Sequence, residues 1–136
     1  MGLPNKNTLL QRFLQSKQLI PGDWANAVTD FLTSFQALVL VGAATQAAAL
    51  TVNAANVEFL AGAASAAKLP PSYPGAIINV LNNSGNAQQI FGTGADVVQT
   101  SGTTYAAAAT GVALASLASA TYFCIKAGFW QRSTTA

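Results

Sequence analysis

From Phe35 onward the chain loses helical periodicity and breaks into short apolar clusters. They fall at Leu38–Val41, Leu50–Val52, Val57–Leu60, Ile77–Leu81, Gln89–Phe91, Val112–Leu117 and Thr121–Ile125, separated by Gly, Asn, Ser and Thr. Clusters this brief between turn-forming residues have the length of strands rather than helices. They predict a mainly β module over 36–136, an antiparallel β-sandwich of jelly-roll-like form. The alanine-rich pieces Ala43–Ala49 and Ala61–Ala67 suit short helices by propensity. The alternation in ALTVNAANVEF and the glycine at 62 favour strands and loops. Lys68–Gly75, with Pro70, Pro71 and Pro74, is an extended connector that neither a helix nor a central strand accepts.

Two hairpins are expected. Ile77–Leu81 and Gln88–Phe91 flank Asn82-Asn83-Ser84-Gly85-Asn86, whose Asn and Gly tolerate the positive φ of a tight turn. Thr121–Lys126 and Phe129–Arg132 flank Ala127-Gly128 in the same way.

The first 35 residues read differently. Thr8 and Gln11 fit a capping box, and Leu9, Leu10, Phe13 and Leu14 follow at helical spacing. Pro21-Gly22 breaks that helix and Asp23 caps a second. Its apolar face holds Trp24, Ala27, Val28, Phe31, Leu32 and Phe35, with Asn26, Thr29, Asp30 and Thr33 opposite. Residues 1–35 are therefore expected to form a helical attachment or oligomerisation segment. Its candidate interface residues are Leu10, Phe13, Trp24, Val28, Phe31, Leu32 and Phe35, joined by Trp130 near the other end of the chain.

Charge narrows the function. Lys6, Arg12, Lys17, Lys68, Lys126 and Arg132 face Asp23, Asp30, Glu58 and Asp96, and 7% of the residues are ionised against about a quarter in ordinary soluble domains. A solitary soluble chain needs more charge on its surface than this, so association with copies or with another protein is expected. The net charge of +2 is too small and dispersed for a nucleic-acid footprint. The apolar windows Phe35–Leu50 and Tyr105–Ile125 are respectively too short and too interrupted by Thr, Gly and Ser to argue for a membrane span.

Catalytic chemistry finds little support. The chain has no histidine, which removes the usual triads and most zinc sites. Cys124 reads as a buried structural thiol. Glu58 and Asp96 could meet as paired acids, but their spacing does not require it. Gly92-Thr93-Gly94 lacks the lysine and helix of a phosphate loop and reads as a turn. Trp24, Trp130, Tyr73, Tyr105 and Tyr122 suit a carbohydrate platform or, more commonly, cores and subunit contacts. No catalytic, cofactor or metal residue is expected, and the chain is expected not to be an enzyme.

From Gly75 onward the sequence resembles a module of virion proteins of tailed bacteriophages, among them small head-decoration and head-fibre proteins. The resemblance rests on Ile78-Asn79-Val80-Leu81-Asn82-Asn83, Gln89-Ile90-Phe91, Gly92-Thr93-Gly94-Ala95-Asp96, the small-residue stretch Ala106–Ser119, and Tyr122–Trp130. Gly92 stands where the pattern usually has proline. The resemblance implies a compact β module, commonly homotrimeric, displayed on a phage particle. The expected role is a capsid decoration or cement protein on the outer surface of the head, with itself and the major capsid protein as partners. Alternatives are a head-fibre base, a tail-fibre or baseplate adaptor, and a host-glycan-binding module.

Overall fold

Alternation of period two sets the strands that hold the core. Ile77–Asn82 turns Ile78, Val80 and Asn82 inward and Ile77, Asn79 and Leu81 outward. Ser119–Lys126 does the same, with Ala120, Tyr122 and Cys124 inward. The computed structural model describes residues 34–100, 103–105 and 110–135. From Phe35 onward they belong to one compact unit, Phe35–Ala136. The helices expected before Ser34 lie outside the described residues; among the described residues there is no helix.

In chain order the strands are β1 (Phe35–Leu38), β2 (Leu50–Thr51), β3 (Asn56–Phe59), β4 (Ala66–Lys68), β5 (Ile77–Asn82), β6 (Gln88–Phe91), β7 (Val97–Thr100), β8 (Thr103–Tyr105), β9 (Val112–Leu114), β10 (Ser119–Lys126) and β11 (Phe129–Thr135). They form a seven-stranded sheet, β1-β3-β5-β10-β11-β7-β8, and a four-stranded sheet, β2-β4-β6-β9. The chain alternates between the sheets from β1 to β6, so β1, β3 and β5 stack in parallel in one sheet and β2, β4 and β6 in the other. This is the winding of a two-sided solenoid with three turns. Antiparallel β9 closes the smaller sheet, and antiparallel β10 continues the larger one.

The mainly β expectation holds, but the sheets are mixed rather than antiparallel. Five of the strand pairings are parallel and four antiparallel. The physical cause lies in the connections. Each link from β1 to β6 carries the chain across to the opposite sheet, so consecutive strands do not pair.

The expected hairpin at 77–91 is accordingly corrected. Both strands form, but β5 and β6 belong to different sheets and the asparagine-rich turn is an arch between them. Asn82 explains the difference, because its side chain is buried instead of facing solvent. Its amide nitrogen donates to the carbonyls of Asn86 (2.7 Å), Leu114 (2.8 Å) and Ala115 (3.0 Å). Its oxygen accepts from the amide and hydroxyl of Ser84. The Ser84 hydroxyl accepts from Gln88 Nε2, and Gln88 Oε1 accepts from the Ser65 amide. Ser65 in turn donates to the carbonyl of Gly42. The buried polar side chains of the described residues, Ser65, Asn82, Ser84 and Gln88, thus form one chain across all three turns. Burial is tolerable because each has a partner. The hairpin β10–β11 forms as expected, with Lys126 opposite Phe129 and Gly128 at φ +81.

Between the sheets, Val57, Val80 and Ala120 lie side by side, as do Ile78 and Tyr122. Trp130 pairs with Cys124 on one side and Val98 on the other. Ala49, Ala66 and Phe91 form a second apolar cluster. The thiol of Cys124 is buried, donates to the Lys126 carbonyl, and is pushed up in pKa by burial.

The connector 69–75 is tied down by the turn after β6. Thr93 Oγ1 donates to the Leu69 carbonyl, Asp96 accepts from the Ser72 amide at 2.8 Å, and Ser72 Oγ accepts from the Gly128 amide. Gly92 permits this closure, since a Cβ there would lie 2.5 Å from the Asp96 carbonyl oxygen and 2.8 Å from its Cβ. The same collision excludes proline at this position. Gly92→Ala is expected to destabilise the unit by about 1–3 kcal/mol, the usual cost of forcing an atom into filled space. A denaturant titration of the two proteins checks this, and an unchanged midpoint would show that the turn can open without cost.

The core also makes a pH prediction. Burial pushes the Tyr122 hydroxyl up to about 12 from the usual 10, partly offset by the charge of the nearby Arg132 guanidinium and its weak, poorly aligned hydrogen bond to the hydroxyl. The folded state holds this proton more tightly than the unfolded state. Stability is therefore fully present below pH 10 and falls as pH rises towards 12, by up to about 1.4 kcal/mol per pH unit. Tyr122→Phe is expected to flatten that fall and, at neutral pH, to leave stability within about 1 kcal/mol of the parent. Urea midpoints of both proteins from pH 7 to 12 test both statements.

Candidate functional site

The solvent side of the seven-stranded sheet is built from the residues that alternation turns away from the core. The register sets them in rows. Phe35, Asn56, Asn79, Thr121 and Ser133 cross five strands, and Ala37, Glu58, Leu81 and Ser119 form the next row. Ile77, Phe123, Gln131 and Gln99 form a third. Among these thirteen residues Glu58 alone is charged. Such a composition is unusual for a sheet face left in water, where about a quarter to a third of surface residues are ionised.

The first two rows border an open groove of ≈ 370 Å³, lined by Phe35, Asn56, Glu58, Asn79, Leu81, Ser119, Thr121 and Ser133 among others. Its floor is a ladder of uncharged polar groups. Asn79 Nδ2 donates to Asn56 Oδ1 at 3.2 Å, and Thr121 Oγ1 donates to Asn79 Oδ1 at 2.9 Å. Glu58 accepts from Asn83 Nδ2 at 3.1 Å. Phe35 stands at the sheet edge, 64% exposed, and Leu81 and Ile77 are exposed nearby along β5. The face therefore offers apolar contact and hydrogen-bonding capacity with almost no charge to desolvate.

The remaining charges of the described residues are placed elsewhere. Asp96 holds the connector, Arg132 donates to the Ala113 carbonyl, and Lys126 lies 5.2 Å from the centre of the Phe129 ring. Glu58 and Asp96 are engaged with different partners. Among the described residues, no group of His, Cys, Asp and Glu could hold a metal ion, and no helix is long and apolar enough to cross a membrane.

Of the interface residues expected from sequence, Leu10, Phe13, Trp24, Val28, Phe31 and Leu32 lie outside the described residues. Phe35 is on the candidate face, but as the first residue of β1 rather than the end of a helix. Trp130 is corrected: it is 0% exposed and packs inside the chain, so it meets neither a partner nor a glycan. Sequence reasoning missed Asn56, Asn79, Thr121 and Ser133. The available signal was the 23-residue spacing of Asn56-Val57 and Asn79-Val80, which stack in register. No protein-family model, curated protein or solved structure matches the chain.

Proposed function

We propose that this chain is a non-enzymatic structural protein of a tailed phage particle, a decoration or cement subunit on the outside of the head. The observation that carries the proposal is the seven-stranded sheet face, with Glu58 as its one charged side chain in three rows. Such a face gains by being covered, because burying it removes apolar area from water and strands almost no ion. The resemblance of Gly75–Trp130 to virion modules supplies the setting. Repeated copies would cover one another's faces, as homotrimers in that resemblance, and bridge neighbouring subunits of the major capsid protein. Each bridge then adds to the work of separating the shell, through mass action and avidity.

Controlled heating of phage particles carrying and lacking this protein tests the role. Rupture at a higher temperature in its presence is expected, and equal rupture temperatures would remove the cementing role. Copy number per particle distinguishes a shell subunit, present in hundreds, from a tail adaptor present in low multiples of three or six, on expectations of roughly this order from closed symmetry.

A further inference from the structure

Among the described residues, no strand pairs with the outer edges of the solenoid's first turn. β1 is an edge of the larger sheet and β2 an edge of the smaller one, and both belong to the first turn. The same turn exposes Phe35, Val39, Val41 and Leu50, four of the nine exposed large apolar residues of the described chain. From 34 to 57 there is no charged residue, and no proline interrupts 34–69. Edge strands in soluble proteins are ordinarily guarded by charge, proline, bulges or a cover, and solenoid ends by polar caps. This end has neither charge nor proline.

We propose that the open first turn pairs with the first turn of a second copy, head to head about a twofold axis normal to the two sheets. That axis sets β1 antiparallel to its copy and β2 antiparallel to its copy in one operation, so both sheets continue across the junction. The two edges differ in length, four residues against two. A second copy presents the same unequal pair at the same separation, which makes the contact self-complementary. Head-to-tail stacking has no such match. The far edges, β8 and β9, lie in different sheets and follow the end of the parallel winding rather than forming a turn of it. The absence of charge on the first turn also means that no like charges meet when it faces itself.

This pairing is a property of the purified full-length chain and does not rest on the phage reading, whose trimers it would join in pairs as hexamers. Its probe is Leu50, which is exposed and, in the two-residue strand β2, lies next to the axis. Light scattering of the full chain is expected to give an even multiple of the protomer mass. Leu50→Asp and Leu50→Lys are each expected to halve that mass at the same concentration, with association weakened ~100-fold or more by the repelling like charges. Mixing the two variants is expected to restore the parent mass, because opposite charges then face each other across the axis. Circular dichroism showing parent-like β structure in both variants confirms that the change is one of association. An odd protomer number in the parent, a variant of unchanged mass, or a mixture that stays dissociated would each overturn the proposal.

Discussion

Trp130→Ala is expected to come close to unfolding the β unit. Trp130 is wholly buried, between Cys124 of β10 and Val98 of β7. Removing an indole from such a site costs about 3–5 kcal/mol, through lost burial and the cavity left behind. Against a typical domain stability of about 5–15 kcal/mol this is a large share. For a unit of this size the melting temperature should fall by roughly 4–8 °C per kcal/mol. Thermal and denaturant melts measure it directly. Trp130→Phe should cost less than half as much. It retains a ring in the site, and it removes an indole N–H that has no hydrogen-bond partner. A Trp130→Ala protein as stable as the parent would contradict the core assignment and restore the residue as a surface anchor.

Asn82→Leu has the next largest expected effect. Leucine matches the volume but leaves the carbonyls of Asn86, Leu114 and Ala115 and the Ser84 hydroxyl without this partner. Each unsatisfied buried group costs about 1–3 kcal/mol, and some recover water at the margin, so a total of about 3–5 kcal/mol is expected. The consequence extends beyond the arch. The backbone of Asn82 accepts from Leu117 and donates to Ala118, holding the β9–β10 turn in which Leu117 adopts φ +63. Loosening Asn82 should therefore raise amide hydrogen exchange at both the 83–87 arch and the 115–118 turn. Protection lost at the arch alone would show that the two are not coupled through this side chain.

The strands were more legible than their partners. Leu50–Val52, Val57–Leu60 and Ile77–Leu81 read as strands because branched residues alternate with small polar ones, and β2, β3 and β5 lie there. β4 was legible only in part: Ala61–Ala67 favoured strands and loops, but Lys68 was read into the extended connector and is the last residue of β4, and Ala66, of weak strand propensity, is held there by packing with Ala49 and Phe91. β7 was lost behind the Gly92–Gly94 turn. The pairing of β5 and β6 was misread because Asn82–Asn86 has the composition of a hairpin turn. Composition does not record that one asparagine points inward. The 23-residue recurrence of Asn-Val, followed in both places by glycine at 62 and 85, carried the stacking information. Trp130 was misplaced because Gln131 and Arg132 give it polar neighbours. Strand alternation turns Gln131 to the face opposite the indole, while Arg132 shares the indole's face and reaches the Ala113 carbonyl.

The charge argument leads to the candidate face by a different route. Scarcity of ionised residues is visible in composition, but its concentration on one side of one sheet depends on register. Phe35 was named for a helix stripe and reaches the face through β1. Asn56, Asn79 and Thr121 were unremarkable until the winding placed them in a row.

Whether that face is covered can be measured on the purified full chain, by comparing its mass in solution with that of Thr121→Lys, which sets a cation in the middle of the first row. An assembly that dissociates in the variant is the predicted result. A parent protein that remains a single dissolved chain at every concentration, with the variant behaving identically, would contradict it.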